Sequence, residues 1–370
     1  MNKVKNSLSI IILLLAIYTL SSCGFTDRAQ SEIATPAPSI SAIETVAPTE
    51  IPLSENSTFA VHYIDVGQAD AALVLCDGES MLIDGGNVAD SSLIVAYLKK
   101  LNIDYLDYIV CTHAHEDHVG GLSGALSVAK AGVIYAPETT ASTKAYNNFI
   151  QKAAEQNLQI SHPTHGNSIN LGSSTVQFLG AITEDTDDIN NTSIVLKIVY
   201  GNTSFLFTGD AEREEEQDII NAGYDLSADV LKVGHHGSDS STSYVFLREI
   251  MPQYAVISVG TGNTYGHPTE VVLSRLRDAD VEVFRTDVQG DIIAESDGNT
   301  VSITTERNAD IQTNETHTEI VEGEYIGNRN SKKFHKPTCN TLPAEKNRVY
   351  FNSRSEAVEN GFTPCGNCLP

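Results

Sequence analysis

The sequence predicts an α+β chain with a small, separately stapled module at its C-terminal end. Three observations carry that expectation. Short β-branched and aromatic runs alternate with segments of helical periodicity between residues 58 and 305. Several of those runs end in glycine beside an acid or an imidazole: Asp84-Gly85-Gly86, Gly209-Asp210, Gly234-His235-His236 and Gly266-His267. Residues 325–370 gather three cysteines and a histidine in a polar stretch with little apolar material of its own.

The elements follow in order. Residues 59–66 and 71–76 read as strands around the turn Gly67-Gln68-Ala69-Asp70, and 81–83 as a third. Residues 90–101 place Leu93, Ile94, Ala96, Tyr97, Leu98 and Leu101 on one helical face. A strand over 105–111 leads into a histidine-rich loop, and a helix starts near Ser123. Strands are expected at 133–135, 158–160 and 175–179, with a helix at 142–156. Residues 194–200 and 203–207 form a hairpin around Gly201-Asn202. An acidic helix at 212–222 precedes strand 230–233, helix 243–250, strand 254–259 and helix 269–278, and two short strands close the domain.

The loop after the 105–111 strand reads Cys111-Thr112-His113-Ala114-His115-Glu116-Asp117-His118, an H-x-H-x-D-H pattern. Imidazole and carboxylate are the usual ligands of zinc and similar divalent ions. Alternate side chains of a tight loop can face two nearby points, so His113 and His115 can hold one ion while Asp117 and His118 hold another. Asp210 offers a further carboxylate at a strand tip. The opposite reading is a solvated polar loop. His162 and His165 fall in a turn and read as solvated. Cys76 and Cys111 sit in strand runs and read as buried apolar residues.

The set H-x-H-x-D-H, Thr208-Gly209-Asp210 and His235-His236-Gly237-Ser238, opened by Asp65-Val66-Gly67-Gln68-Ala69-Asp70, resembles the metallo-β-lactamase superfamily. With Tyr265-Gly266-His267-Pro268 it is similar to the extracellular hydrolase domain of ComEC-type competence proteins, over about residues 58–305. That resemblance implies a four-layer αββα sandwich and one or two divalent metals, zinc or manganese, that activate a hydroxide. It implies His113, His115, Asp117, His118, Asp210 and His235 as metal ligands. His236 then faces the substrate as acid or phosphate ligand, although the opposite assignment of His235 and His236 stays open. His267 is a further catalytic candidate or the alternative last ligand. Asp117 also counts among the catalytic residues. Asp84 is expected to orient a ligand, and Asp65 and Asp70 to do the same or to stabilise turns. Ser238 offers a hydroxyl to a phosphate. Many superfamily members carry another ligand histidine before the bridging aspartate. Here the stretch is Asp187-Asp188-Ile189-Asn190-Asn191-Thr192-Ser193, with Asn191 as the candidate to help hold metal or substrate.

Residues 1–23 read as a lipoprotein signal peptide. Lys3 and Lys5 precede a short apolar core, and Leu20-Ser21-Ser22-Cys23 resembles a lipobox with Cys23 as the lipidated residue. That core is short for a membrane span. An ordinary secretory signal is the alternative. Residues 24–57 are rich in Ser, Thr, Ala, Pro and Glu and read as a disordered tether. The expected place is therefore the outer face of the cell membrane, by lipid anchor. The formal charge is −25 on 370 residues, which repels nucleic acid and anionic lipid at long range.

Residues 306–324 read as a linker and 325–370 as a metal-binding module. His335, Cys339 and the Cys365-x-x-Cys368 pair fit a tetrahedral structural zinc, with disulfides as the competitor outside the cytoplasm. The tail resembles the metal-binding module of Ada-type repair proteins. His335 stands where that family has its methyl-accepting cysteine, which puts methyl transfer in doubt. The module carries seven Lys or Arg against three acids, a basic patch on an acidic chain. The expected function is a surface-anchored phosphodiesterase or nuclease acting on DNA. A metallohydrolase of a small ester, lactone or lactam is the second reading, and a non-catalytic DNA- or ligand-binding lipoprotein the third. No protein partner is expected.

Overall fold

A computed structural model describes residues 58–182, 187–314, 325–368 and 370. The expected signal peptide, Cys23 and the tether lie outside the described residues.

The chain first lays down β1 (Phe59–Tyr63), β2 (Ala72–Cys76), β3 (Glu79–Ile83), β4 (Tyr105–Val110), β5 (Lys130–Tyr135) and β6 (Ile160–Ser161) in one sheet. It then builds a second sheet from β7 (Ser168–Leu171), β8 (Ser174–Phe178), β9 (Leu196–Tyr200), β10 (Thr203–Phe207), β11 (Val230–Lys232), β12 (Tyr254–Ile257) and β13 (Glu282–Arg285). β14 (Ile292–Ser296) and β15 (Val301–Thr305) return to the first sheet, where β14 pairs with β1. Three strands thus close the domain where two were expected.

Strand periodicity explains the layering, because successive side chains point to opposite faces. Along β2, Ala72, Val74 and Cys76 join one core while Leu73 joins another; along β10, Phe205 and Phe207 part from Leu206 in the same way. The core between the sheets stacks Phe59 on Tyr200, with ring centroids 5.0 Å apart. The outer face of the first sheet packs on helices Ser91–Lys100, Leu122–Val128 and Lys144–Glu155. The outer face of the second packs on Arg213–Ala222, Tyr244–Ile250 and Glu270–Asp278. The result is the expected αββα order. Helix starts fall at side-chain caps: Thr143, Ser243 and Thr269 each accept from the backbone N–H three residues on.

β3 to β6 run parallel, and so do β10 to β13. The carboxyl ends of β4, β10, β11 and β12 therefore open toward one region, where ligands of parallel sheets gather. The histidine loop is held there by a close backbone approach. Gly85 N–H donates to His118 O at 2.7 Å and Gly121 N–H to Gly86 O at 3.1 Å. A Cβ on Gly121 would stand 1.9 Å from Gly85 O, so only glycine fits.

Residues 306–314, read as linker, instead hydrogen-bond back to the domain: Arg307 to Asp65 at 3.0 Å and Asn314 to Leu273 O at 3.0 Å. Residues 315–324 lie outside the described part. The last module is a four-stranded sheet in the order β18 (Arg348–Phe351), β16 (Tyr325–Asn328), β17 (Lys333–His335), β19 (Thr363–Pro364). Its buried apolar cluster is Phe334, Phe351, Ala357 and Phe362, small enough to need a staple.

Candidate metal centre

Three segments deliver the centre. Asp117 and His118 sit in a short helix after β4, Asp210 follows β10, and His236 follows β11. One ligand-type atom from each of Asp117, His118, Asp210 and His236 falls within a common 4.8 Å. His118 Nε2, His236 Nε2 and Asp210 Oδ1 are buried with no hydrogen-bond partner. Buried polar atoms are normally satisfied, so the two orphaned imidazole nitrogens, 3.2 Å and 3.8 Å from Asp210 Oδ2, fit a divalent ion. His118 Nε2 stands 3.2 Å from Asp210 Oδ2, and His236 Nε2 stands 3.4 Å from Asp117 Oδ2.

Each imidazole is aimed by its other nitrogen. His118 Nδ1 lies 2.8 Å from Asp84 Oδ2, and Asp84 in turn accepts from Thr112 N–H and Oγ1–H at 2.7 Å each. His236 Nδ1 donates to Ser258 O at 3.0 Å and lies 3.4 Å from Asp70 Oδ1. Such partners fix the tautomer that leaves Nε2 free for a metal. Asp70 is itself paired with Lys232 at 2.8 Å, and both side chains are buried. Asp70, Asp84 and Lys232 line a small cavity under the centre.

The charge balance fits the same ion. Burial disfavours a charged His236, but Asp210, Asp70 and Asp117 outweigh it and push its pKa up to about 10. Burial likewise opposes a charged His118, and Asp210 and Asp84 overcome it, so its pKa rises well above the usual value. Burial would raise Asp210 and Asp117, yet the facing histidines hold Asp210 well below the carboxylate range and Asp117 at about 2. Two imidazolium rings thus neutralise two carboxylates, and a divalent cation would take the place of their protons.

His113 and His115 form a neighbouring pair. His113 Nε2 lies 3.0 Å from His115 Nδ1 and 3.9 Å from Asp210 Oδ2. Burial, and then His118, push the His113 pKa well down, which keeps the ring neutral and able to ligate. This pair is the candidate for the other ion, next to the four-residue group.

The expectation that His235 would complete the ligand set meets a different geometry. His235 and His236 both hold left-handed backbone, with φ of 49° and 52°, and their rings diverge. His236 turns inward. His235 turns to the rim, with Nδ1 3.2 Å from Glu212 Oε1 and Nε2 3.7 Å from Asp210 Oδ2. The inward place therefore goes to His236, and His235 stands at the rim. His267 lies beyond it, ring centroid 5.7 Å from that of His235, outside the four-residue group. Asn191 Oδ1 accepts from Glu212 N–H at 3.0 Å, so its carbonyl is tied to the rim. Ser238 Oγ bonds Ser240 Oγ at 2.9 Å. Asp65 pairs with Arg307 on a domain edge. Glu212, Lys232 and Ser193 went unread in the sequence. Ser193 Oγ accepts from Asp210 N–H at 3.0 Å and lies 3.4 Å from His113 Nδ1. A lysine inside the apolar run of β11 was the available signal, since lysine is rarely buried unless paired.

In the C-terminal module His335, Cys339, Cys365 and Cys368 also bring one ligand atom each within 4.8 Å. All three cysteines are free thiols. The set is Cys3His, a structural zinc donor set.

Residues 64–261 match the metallo-beta-lactamase superfamily model, and residues 315–370 match the metal binding domain of Ada. ComE operon protein 3 of Bacillus subtilis is 32% identical over 250 residues, 63% of this chain and 32% of that protein. Competence protein ComA of Neisseria gonorrhoeae is 34% identical over 233 residues, 62% of this chain and 31% of its own. The chain therefore spans about a third of the length of the curated relatives it matches. Among solved structures, the metallo-beta-lactamase fold protein YhfI from Bacillus subtilis shares 13% identity at TM-score 0.45, covering 64% of this chain and all of that one. With the superfamily model matched over more than half its length, the chain belongs to the metallo-beta-lactamase superfamily, as a metal-dependent hydrolase related to the competence proteins.

Proposed function

We propose that the protein is a phosphodiesterase acting on DNA, tethered to the outer face of the cell membrane by a lipid on Cys23. The observation that carries the catalytic half is the four-residue group Asp117, His118, Asp210 and His236, in a chain whose relatives are competence proteins. A divalent ion held there, zinc or manganese, would make a hydroxide available at neutral pH and offset phosphate charge. The protein's own groups do the rest. Asp84 and Ser258 O hold His118 and His236 with Nε2 turned inward. Asp210 joins the His113 side of the centre to the His118 side. His235 stands at the rim with Nδ1 3.2 Å from Glu212 Oε1, placed to pass a proton from Nε2 to the departing oxygen. Ser240 Oγ–H donates to Glu212 Oε1 at 2.8 Å and steadies that pair.

The lipid anchor rests on the Cys23 segment alone. Among the described residues no helix is long and apolar enough to cross a membrane. The basic C-terminal module would add salt-sensitive phosphate contacts to an otherwise acidic chain. Two tests apply. The intact chain should hydrolyse bis(4-nitrophenyl) phosphate and single-stranded DNA with manganese or zinc, and Asp210→Ala should lose both. Hydrolysis of nitrocefin or a simple lactone without any phosphodiester cleavage would overturn the reading. Radiolabelled palmitate should enter the protein in cells and be lost in Cys23→Ser; equal labelling of the two would overturn the anchor.

A further inference from the structure

We infer that Tyr265 is a stacking platform for the nucleobase next to the scissile phosphate, a subsite that gives the centre its preference for nucleic acid over other phosphodiesters. This rests on the phosphodiesterase reading above.

The first observation is exposure in the wrong place for a packing residue. Tyr265 is 72% exposed, among the most open large apolar side chains described. Singly exposed apolar residues are ordinary, so exposure alone decides nothing. Its surroundings decide. The Tyr265 ring stacks on His267 with centroids 5.7 Å apart and planes 27° from parallel. His267 meets His235 edge-on at 5.7 Å, and His235 Nε2 reaches to 3.7 Å from Asp210. A file of rings therefore runs from the metal group to the open tyrosine. One face of Tyr265 rests on imidazole and the ring remains largely open to solvent.

The second observation is rigidity. The loop that carries Tyr265 is organised by one side chain, Asn263. Its Oδ1 accepts from the N–H groups of Tyr265 and His267 at 3.1 Å each. Its Nδ2 donates to Gly260 O at 3.0 Å and His267 O at 2.6 Å. Gly260 N–H in turn donates to Gln68 Oε1 at 3.1 Å, which ties the loop to the turn after β1. Gly262 and Gly266 take φ of 66° and 75°, the left-handed turns that let the chain double back. A loop backbone fixed by four hydrogen bonds, with its tyrosine ring stacked on His267, is pre-organised for a flat partner.

The third observation concerns charge. The rim near His235 carries Glu212 and Asp239, offset in part by Arg213, whose guanidinium donates to Asp239 O, and the whole chain carries −25. A polyanion gains little there from side-chain charge. A base stacked on Tyr265 supplies attraction that is independent of that field, and every base has a π-face to offer. A flat, uncharged nucleobase attached to the phosphate at the centre is the ligand class that matches both the ring and the acid rim.

The test uses the intact chain with manganese or zinc and two single-stranded oligonucleotides. One carries thymines, and the other carries tetrahydrofuran abasic residues at the same positions. Tyr265→Ala should raise KM for the thymine strand roughly tenfold, in the range seen for loss of one base stack, with kcat within about twofold. Tyr265→Phe should stay near the parent. On the abasic strand parent and Tyr265→Ala should share the same high KM. Calorimetric titration with thymidine 5′-monophosphate should show the same loss without turnover. Equal KM values for parent and Tyr265→Ala on the thymine strand, with both strands cleaved, would overturn the subsite and leave the phosphodiesterase reading standing. A parent enzyme that cleaves neither strand would remove both.

Discussion

Replacing Lys232 by methionine removes the nearer of two cations that the structure places against the buried Asp70 carboxylate, the other being the His236 ring with Nδ1 3.4 Å from Asp70 Oδ1. Lys232 Nζ donates to Asp70 Oδ2 at 2.8 Å and to Val233 O at 3.0 Å, and both side chains of the pair are buried. Asp70 Oδ1 has no hydrogen-bond partner. Methionine conserves the volume and leaves the carboxylate without its lysine counter-ion, facing His236 alone. Removing one partner of a buried pair costs about 3–5 kcal/mol. A ceiling comes from titration: neutralising an ordinary carboxyl at pH 7 costs about 4 kcal/mol, and Asp70 will protonate rather than exceed it. The two figures agree. For a domain of this size that is a fall in Tm of roughly 10 °C.

The pH dependence follows from the direction of the shift. Burial opposes the Asp70 charge, but Lys232 and His236 outweigh it and hold its pKa below the usual range. The folded protein thus gains stability that is present above the unfolded pKa of about 4 and is lost as pH falls through the lower folded value. In Lys232→Met the folded pKa rises instead, so the deficit is full at neutral pH and shrinks as pH drops toward about 4. The assay is denaturant unfolding followed by circular dichroism, since the chain has no tryptophan. Asp70→Asn in the Lys232→Met background should recover much of the loss. A Lys232→Met protein within 1 kcal/mol of the parent at pH 7 would refute the reasoning.

Other outcomes follow from the same geometry. His235→Gln should slow cleavage of an alkyl-leaving-group phosphodiester by about 10²–10⁴-fold; with 4-nitrophenolate, which departs without a proton, the loss should be far smaller, and equal losses in steady-state rates would remove His235 as the proton donor. Metal uptake at pH 7 should release protons, because the facing carboxylates raise the His118 pKa well above its usual value and that of His236 to about 10, and a cation displaces those protons; calorimetry in buffers of different ionisation enthalpy checks this, and buffer-independent heats would contradict it. Gly121→Ala should prevent the histidine loop from closing on Gly85 O and cost several kcal/mol, read by thermal unfolding. Cys365→Ser should abolish zinc binding in the tail while leaving phosphodiester hydrolysis within about twofold, by metal analysis and steady-state rates.

Much of this was legible in the sequence where the signal is contiguous. The H-x-H-x-D-H run and the strand before it are neighbours, so spacing alone pointed to candidate ligands and to their place after β4. Helices with caps at Thr143, Ser243 and Thr269 were bounded to within a residue or two for the same reason. What stayed hidden depends on backbone angle or on distance along the chain. Adjacent His235 and His236 differ in role because both occupy left-handed backbone that throws their rings apart, and no spacing encodes that. Asp70 and Lys232 stand 162 residues apart and meet because β11 and the turn before β2 end side by side. The 306–314 segment lacks periodicity, yet its polar side chains find backbone partners on the domain. Apolar patterning cannot report hydrogen bonding of that kind.

The central claim is that Asp117, His118, Asp210 and His236 together hold a catalytic metal. Metal stoichiometry of the purified intact chain and of Asp210→Ala, by inductively coupled plasma mass spectrometry, tests it most directly. The account predicts that the parent carries one tail zinc plus at least one further divalent ion, and that Asp210→Ala keeps the zinc and loses the other. Identical metal content in the two proteins would contradict it.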